Sequence, residues 1–313
     1  MKKNKILLLG YSSIAKKRYI SVFLKKNIQF SIASKSLKKK IKGAYKQYSD
    51  YNDAISKSEA NIVYISLPNS AHFYWAKKAL LCGYHVIIDK PLAHKISESN
   101  ELISIAKKNK KLLSEAIFYN YHRQIKKVQN ILKKNDKLNF IKAQFVIPFP
   151  KKKSLLMSKS LSGGVIMDMG PYASSIHRIF FNKKIVSSKI IIKKDQSNLP
   201  ISFEIKINYS NQKYHGLFKF GGEYKNELSF FTKQMKISIG RVFSPPEELD
   251  LNINVINKNK VKDLTVFKDN CFENYLLELL SKINQKKFSF YLKQIQQDHF
   301  FRDKIEKKFF KML

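Results

Sequence analysis

Short apolar runs alternate with amphipathic stretches along the first third of the chain. Residues 62–67 form one such run, rich in β-branched side chains, and it stops at Pro68-Asn69, as a buried strand does where it enters a turn. Apolar residues then recur at helical spacing as far as Gly83, and residues 85–88 form a second buried run before Asp89-Lys90-Pro91. The pattern predicts a βαβ unit whose two strands end at one polar edge, where ligands bind in open α/β sheets.

The same pattern continues on both sides of this unit and predicts two domains. Further apolar strands and amphipathic helices precede and follow it. Together they predict a first domain, residues 1–118, with a doubly wound parallel sheet. Residues 119–313 are rich in alternating β segments, which predicts an α+β domain with an open, largely antiparallel sheet and two C-terminal helices. The predicted strands are residues 6–9, 29–33, 62–67, 85–88 and 112–116 in the first domain and 139–147, 185–192, 201–209, 214–221, 227–231 and 235–239 in the second.

Composition narrows the class of protein. At 313 residues, with 44% hydrophobic and 13% aromatic residues, the chain can bury two cores and is not a disordered protein. Every apolar run is shorter than the roughly 18 residues of a membrane span, so we expect no membrane partner. The two cysteines, Cys82 and Cys271, provide no disulfide framework and suit a reducing compartment. We therefore expect a cytoplasmic protein.

The formal net charge of +37 raises the question of nucleic-acid binding, because a basic surface attracts phosphate. However, 55 of the 60 basic residues are lysines spread from end to end. Arginine, whose planar fork reads phosphate and guanine, is scarce. The abundance of Lys, Asn and Ile is typical of an AT-biased coding sequence. We therefore predict no specific nucleic-acid partner, and a nucleic-acid-binding α/β protein is the less favoured alternative.

A strand-like run at residues 6–9 leads into a turn that resembles a phosphate-binding loop. The dinucleotide fingerprint is Gly-x-Gly-x-x-Gly/Ala, and here Gly10 and Ala15 match it while Ser12 replaces the second glycine. The helix that follows offers free N–H groups to an anion, and a serine hydroxyl can donate to a phosphate oxygen. We predict dinucleotide contacts from Gly10, Ser12, Ser13 and Ile14.

The end of the second strand indicates which dinucleotide binds. NAD enzymes usually place Asp or Glu there for the ribose 2′-hydroxyl, whereas NADP enzymes accept the 2′-phosphate with cationic and hydroxyl groups. This strand ends in Ser34-Lys35-Ser36, and no acidic residue occurs between Phe30 and Lys40. NADP is therefore favoured over NAD, with Ser34 and Lys35 as its contacts.

Residues 61–93 resemble the signature of the glucose–fructose oxidoreductase / inositol dehydrogenase (Gfo/Idh/MocA) family. That signature is an apolar strand ending in Pro-Asn, a His three residues later, Gly-x-His-Val and Glu-Lys-Pro. Here its parts are Pro68-Asn69, His72, residues 83–86 and residues 89–91. Asp89 departs from the pattern, since it is one methylene shorter than the usual Glu.

Residues 163–172 resemble a second signature of this family, Gly-Gly-x-x-x-Asp-x-Gly-x-(His/Tyr). Asp168 and Tyr172 occupy its Asp and Tyr positions, and their spacing of four places them on one helical face. The alternative for Asp168 is an ordinary helix-capping carboxylate, and the alternative for Lys90 is a surface lysine in a lysine-rich chain.

The resemblance implies an NAD(P)-dependent oxidoreductase that acts on CH–OH and C=O groups of a sugar or a nucleotide-linked keto-sugar. It implies a cis peptide before Pro91, no metal ion, and a homo-oligomer, either dimer or tetramer. The catalytic residues it implies are Lys90, Tyr172 and Asp168. The implied substrate contacts are His122, Asp168 and Tyr172. The implied cofactor contacts in and around the first signature are Leu67, Pro68, Asn69, His72, Asp89 and Lys90.

One alternative stays within the family. A degenerate member that binds a nucleotide or a partner without turnover is conceivable because Ser12 and Asp89 depart from the pattern. Intact Lys90, Asp168 and Tyr172 argue against it, since a non-catalytic protein has no chemical need for all three. The sequence does not name the substrate or the direction of the reaction.

Overall fold

The computed structural model describes residues 4–37, 39–134, 137–258 and 260–310. The chain forms two compact units, which we call unit 1 and unit 2. Unit 1 contains residues 1–116, 160–162 and 276–300, and unit 2 contains residues 117–159, 163–275 and 301–313. Two segments of the predicted second domain, residues 160–162 and 276–300, thus cluster with unit 1.

Unit 1 is built on a parallel sheet in which six strands of the described residues pair in the order β3-β2-β1-β4-β5-β6. Strand β1 is buried from Ile6 to Leu9 and β4 along its whole length, which explains why these stretches are continuously apolar rather than alternating. The strands are β1 (Lys5–Leu9), β2 (Gln29–Ala33), β3 (Ala44–Tyr48), β4 (Ile62–Ile65), β5 (His85–Asp89) and β6 (Leu113–Ala116).

Helices lie in four of the five connections between these strands, as is usual for parallel crossovers, whereas the described part of residues 34–43, between β2 and β3, contains no helix. A π-helical segment (Ala15–Tyr19) leads into the first helix, and a 3-10 turn (Asn69–Ala71) leads into the third. The helices in the connections are α1 (Ile20–Lys25), α2 (Tyr51–Lys57), α3 (His72–Leu81) and α4 (Ile96–Lys108). The strand order reverses between β1 and β4, and their carboxyl ends lie side by side because Leu9 pairs with Ile65 and Ile65 with Ile88. This edge holds the first group of candidate residues.

Unit 2 contains a sheet in which eight strands of the described residues follow the order β14-β13-β12-β11-β7-β10-β9-β8. All neighbours are antiparallel except β7 and β10, which are parallel. The strands are β7 (Phe140–Ile147), β8 (Ser187–Lys194), β9 (Pro200–Asn208), β10 (Lys213–Phe220), β11 (Lys225–Phe231), β12 (Met235–Gly240), β13 (Leu251–Asn257) and β14 (Lys260–Val266).

One face of this sheet is buried against helices, and the strands show the alternation that this requires. Helix α6 packs on β9 and β10, and α5 contacts β13. The remaining helices are α5 (Arg123–Lys134), α6 (Val165–Ile176), α7 (Cys271–Asn284) and α8 (Ser289–Phe310), with 3-10 turns at Phe118–Tyr121 and Leu155–Met157 and a π-helical segment at His177–Phe181. The fold class predicted from the sequence is confirmed. No helix in the described ranges is both long enough and apolar enough to cross a membrane.

Candidate active site

The turn after β1, residues 10–15, is shaped for close backbone approach, and we call it the phosphate turn. Gly10 has φ of +100°, and a Cβ there would lie 2.1 Å from the carbonyl oxygen of Ser66, so only glycine fits. The Gly10 amide donates to the Ala33 oxygen at 2.8 Å, which ties the turn to β2. The first-turn N–H groups of the following helix have no intrahelical acceptors, as an anion site at Ser13 and Ile14 requires. The backbone of this turn therefore fits a dinucleotide pyrophosphate.

The sequence suggests that the Ser12 hydroxyl donates to a phosphate oxygen. In the structure this hydroxyl is hydrogen-bonded within the protein instead. Its Oγ lies 2.7 Å from Ser66 Oγ and accepts from the Ala15 amide at 3.1 Å. The side chain that replaces the second glycine is therefore already hydrogen-bonded inside unit 1.

The end of β2 presents hydroxyl and ammonium groups. Ser34 is buried, its amide donates to the Tyr48 oxygen at 3.0 Å, and its Oγ lies 3.1 Å from Ser36 Oγ. Lys35 is exposed. Its positive charge contributes to lowering the pKa of Asp50, after the larger effect of the Asp53 amide that donates to the same carboxylate. That carboxylate caps α2, so it is engaged with backbone amides.

The carboxylate of Asp89, at the end of β5, accepts hydrogen bonds from three hydroxyl groups, one of them from the π-helical segment after the phosphate turn. Tyr19 and Tyr64 donate to Oδ1 at 2.5 and 3.1 Å, and Ser66 donates to Oδ2 at 2.6 Å. The two tyrosine rings contact each other with centroids 4.6 Å apart. Burial raises the pKa of Asp89, while the three donors oppose that shift because they stabilise the ionised form.

Residues 89–92, which we call the Lys90 segment, are anchored on both sides of the lysine. His72 is buried, and its ring nitrogens lie 2.7 Å from the Pro91 oxygen and 2.9 Å from the Leu67 oxygen. The Leu92 amide donates to Glu115 Oε1 at 2.9 Å. The Lys90-Pro91 peptide is cis. Lys90 therefore sits between fixed neighbours.

The loop after β4 contributes the remaining predicted cofactor residues. Leu67 supplies the carbonyl that contacts His72, and Pro68 precedes the 3-10 turn. Asn69 uses its amide to donate to the Ser162 oxygen at 2.9 Å. Unit 1 thus brings together the predicted cofactor residues at the carboxyl ends of β1, β4 and β5 and adds Ser34 and Lys35 at the end of β2.

In unit 2, two glycines set the start of the helix that carries Asp168 and Tyr172. A Cβ on Gly163 would lie 2.5 Å from the Leu156 oxygen, and Gly164 has φ of +96°. The Asp168 amide donates to the Gly164 oxygen at 3.1 Å, so the carboxylate belongs to the first turn of α6. The glycine pair thereby fixes where α6 begins and how Asp168 and Tyr172 are presented.

Tyr172 is surrounded by aromatic rings. Its ring centroid lies 5.0 Å from Phe243, 5.6 Å from Phe145 and 5.8 Å from Tyr119. Tyr119 is itself held by a hydrogen bond of 2.9 Å between its hydroxyl and Ser175 Oγ. Packing against these rings holds the phenol ring in place.

His122 is almost fully buried, with 2% of its surface exposed. Its Nδ1 accepts from the Gln124 amide at 3.1 Å, and its buried Nε2 has no hydrogen-bond partner within the described part of the chain. Burial lowers its pKa, and the opposing Asp269 charge is the smaller effect. The ring is therefore a neutral imidazole whose Nε2–H is an unused donor. His177, by contrast, is half-buried, stacks on Phe301 at 4.7 Å and has its Nδ1 2.7 Å from the Tyr209 hydroxyl, so its contacts are structural.

Several residues of these arrangements were missed by reasoning from the sequence. Ser66 directly follows the buried strand β4, Glu115 lies in the buried strand β6, and Tyr19 and Tyr64 are buried phenols. Each of these polar groups needs a hydrogen-bond partner when it is buried. A polar residue within or beside a predicted buried segment was therefore the sequence signal that could have identified them. The aromatic residues around Tyr172 had no such signal, because each also reads as an ordinary core residue.

Comparison with known proteins shows which family the parallel-sheet region of the chain matches. Residues 5–117 match the GFO_IDH_MocA family, described as an oxidoreductase family with an NAD-binding Rossmann fold. This match spans the whole parallel sheet of unit 1. Residues 5–117 are thus similar to the NAD-binding part of Gfo/Idh/MocA oxidoreductases, as the motifs in residues 61–93 imply.

Individual relatives are distant. A curated relative, dTDP-3,4-didehydro-2,6-dideoxy-alpha-D-glucose 3-reductase from Streptomyces antibioticus, is 22% identical over 239 residues, which cover 74% of this chain and 72% of the relative. A solved 3-ketoreductase from Actinomadura kijaniata, in complex with NADP and TDP-benzene, aligns over 98% of both chains with a TM-score of 0.91 and 16% identity. An aldose–aldose oxidoreductase from Caulobacter crescentus, complexed with glycerol, covers 100% of this chain and 99% of its own, with a TM-score of 0.87 and 15% identity. At such identities the structural likeness shows the fold.

Proposed function

We propose that this oxidoreductase is an NADPH-dependent reductase that converts the ketone of a nucleotide-linked keto-sugar into a secondary alcohol. Residues 1–118 bind the dinucleotide, and residues 119–313 bind the substrate. The anchored Lys90 segment beside the phosphate turn is the observation that carries the proposal, because it holds a cation at a dinucleotide-binding edge. The names of the distant relatives support the substrate class.

NADPH, when bound, supplies the hydride. The side chains of this protein supply binding, orientation and a proton. Lys90 stabilises the negative charge that develops on the carbonyl oxygen. Tyr172 donates its phenolic proton to that oxygen as a general acid. Asp168 orients the substrate through a charge-assisted hydrogen bond. The Nε2 atom of His122 is buried, so His122 has no direct contact with the substrate in this proposal.

The preference for NADPH over NADH comes from the end of β2. Ser34 and Lys35 offer a hydroxyl group and an ammonium group there, and the residues of that turn include no carboxylate to repel a 2′-phosphate. We also propose that the protein works in the cytoplasm as a homo-oligomer. Its two cysteines, one exposed and one buried, form no disulfide and suit a reducing compartment. Sedimentation equilibrium would determine the oligomeric state.

The direct experiment follows NADPH oxidation against a panel of dTDP-linked 3-keto-sugars and free keto-sugars. We expect turnover with the nucleotide-linked compounds. Lys90→Ala should reduce it by roughly 10²–10³-fold, the usual effect of removing one group that stabilises transition-state charge. Lys95→Ala, which removes an exposed lysine of the same unit, is the matched control and should leave turnover unchanged.

Two outcomes would contradict the proposal. NADPH binding without oxidation by any keto-sugar would favour the non-catalytic member of the family. Equal turnover in the parent protein and Lys90→Ala would return Lys90 to the status of a surface lysine. Lys90→Arg should not rescue activity, because the guanidinium group is bulkier and its donors are spread in a plane.

A further inference from the structure

A continuous row of hydrogen bonds within unit 1 joins the phosphate turn to the Lys90 segment. The Ala15 amide donates to Ser12 Oγ at 3.1 Å, and Ser12 Oγ lies 2.7 Å from Ser66 Oγ. Ser66 then donates to Asp89 Oδ2 at 2.6 Å. Asp89 immediately precedes Lys90. The row therefore begins at the turn that faces the dinucleotide and ends next to the candidate catalytic lysine.

The direction of the protons along this row follows from the carboxylate at its end. Each serine hydroxyl has one proton to donate. Ser66 gives its proton to Asp89, so its oxygen must accept the proton of Ser12. The oxygen of Ser12 in turn accepts from the Ala15 amide. The Ser12 proton is thus committed within the protein, which leaves phosphate binding in this turn to the backbone N–H groups.

The two residues that depart from the motifs, Ser12 and Asp89, both belong to this row of hydrogen bonds. Ser12 stands where the fingerprint has glycine, and Asp89 stands where the signature has glutamate. A glutamate is one methylene longer, so its carboxylate would enter the space of the Ser66 hydroxyl. Tyr19 and Tyr64 already occupy the other side of the carboxylate. The Ser66 hydroxyl would then have to move towards the position that the Ser12 side chain fills.

We infer that Ser12 and Asp89 are mutually dependent through Ser66, and that the row formed by these three residues positions Lys90 relative to the phosphate turn. Ser12 is accordingly a positioning residue and not a phosphate ligand. The consequence for turnover rests on the proposed role of Lys90. The dependence between Ser12 and Asp89 does not, and it can be tested without cofactor or substrate.

The first test measures how much Asp89→Glu lowers the melting temperature in three backgrounds. In the parent protein the longer side chain displaces Ser66 and leaves hydrogen-bonding groups unpaired, so a clear loss is expected. In Ser12→Gly, which opens space for the Ser66 hydroxyl, the loss should shrink to about half or less, the non-additivity expected of residues in one network. In Ser13→Gly, which removes an exposed serine of the same turn, the loss should equal that in the parent.

An equal loss in all three backgrounds would overturn the inference. If Asp89→Glu does not fold in the parent, the same answer comes from which double variant folds. The inference requires Asp89→Glu to fold together with Ser12→Gly and not together with Ser13→Gly. Recovery of folded protein in neither double variant, or in both, would contradict it.

The second test detects the coupling to the Lys90 segment by amide hydrogen exchange, which reports local opening. In the parent, NADPH should slow exchange both in the phosphate turn and at residues 89–92. In Ser66→Ala, NADPH should still slow exchange in the turn, but its effect at residues 89–92 should fall. Ser70→Ala, an exposed serine outside the row, should behave as the parent. An undiminished effect at residues 89–92 in Ser66→Ala would overturn the positioning role, whereas no NADPH effect in the parent would contradict the proposed function instead.

Discussion

The two groups of candidate residues are held in place by different kinds of interaction. In unit 1, the Lys90 segment is anchored by individual hydrogen bonds to Asp89, to the Pro91 oxygen and to the Leu92 amide. In unit 2, Tyr172 is held by ring packing against Phe145 and its neighbours. Hydrogen bonds are directional and depend on single atoms, whereas packing depends on volume. Loss of one polar atom should therefore disturb the first region, and loss of ring volume should disturb the second.

Tyr172→Phe should have the largest effect on turnover and almost none on structure. The substitution keeps the ring that packs 5.0 Å from Phe243 and removes only the proposed proton donor. We expect kcat to fall by roughly 10²–10⁴-fold, the usual contribution of a positioned acid. NADPH affinity should stay unchanged. An unaltered kcat, with an isotope effect from deuterated NADPH showing that hydride transfer limits the rate, would assign the proton to another donor.

Two substitutions test whether ring packing stabilises unit 2 and single hydrogen bonds stabilise unit 1. One removes an aromatic ring from unit 2, and the other removes a hydroxyl group from unit 1. Phe243→Ala removes a buried ring and should lower the free energy of unfolding by roughly 3–5 kcal/mol. Tyr64→Phe removes one of the three donors to Asp89 and should cost roughly 0.5–1.5 kcal/mol. Urea unfolding of both variants measures the difference. A larger cost for Tyr64→Phe would show that unit 1 does not differ from unit 2 in the way described.

Ser34→Asp should reverse the cofactor preference of unit 1. The parent is expected to bind NADPH more tightly than NADH by calorimetry. A carboxylate at position 34 repels the 2′-phosphate and accepts a hydrogen bond from the ribose hydroxyl, so the variant should prefer NADH. Ser56→Asp adds the same charge to an exposed position of α2 and should leave the preference unchanged. Tighter binding of NADH by the parent would contradict the assignment of NADPH.

The smallest expected effect is a dependence of stability on pH that comes from His177. Burial lowers its pKa to about 4, and Lys304 contributes to the same direction. Unfolded histidine has a pKa of about 6.5, so the unfolded chain binds more protons between these values and stability falls as the pH drops through that window. His177→Phe keeps a ring on Phe301 and should reduce the slope.

Burial also lowers the pKa of His85 to about 4, and Lys111 contributes to the same direction, so part of the slope should persist in His177→Phe. The double variant with His85→Phe should lose more of the slope than either single variant. The measurement is the melting temperature of each variant between pH 4 and pH 7. If the melting temperature of His177→Phe changes with pH as much as that of the parent, groups other than His177 cause the pH dependence of stability.

Reasoning from the sequence recovered the elements whose patterns are local. The strand predicted at residues 62–67, which the structure has at Ile62–Ile65, and the turn at Gly10 were predictable because burial on both faces and a tight turn each leave a pattern in adjacent residues. The strand order of the sheet in unit 2, and the parallel pairing of β7 with β10 among its otherwise antiparallel described strands, were not predictable, because pairing between distant segments leaves no local pattern. Strands β3, β13 and β14 were also missed.

The same limit applies to the candidate sites. Lys90 and Tyr172 stand in motifs and could be selected from the sequence alone. The link between Ser12 and Asp89 could not, because it depends on three residues that only the parallel sheet brings together. Ser12 and Asp89 each depart from a motif, and in the structure Ser66 connects them by hydrogen bonds. The two departures are therefore explained together by this contact.

The central claim, hydride transfer to a keto-sugar, is tested most directly with NADPH deuterated at nicotinamide C4. The protein is incubated with this cofactor and a dTDP-linked 3-keto-sugar, and the sugar product is analysed by mass spectrometry. The account predicts one deuterium on the carbon of the former ketone, with formation of this product depending on Lys90 and Tyr172. Cofactor oxidation without deuterium in the sugar, or tight NADPH binding with no product, would contradict it.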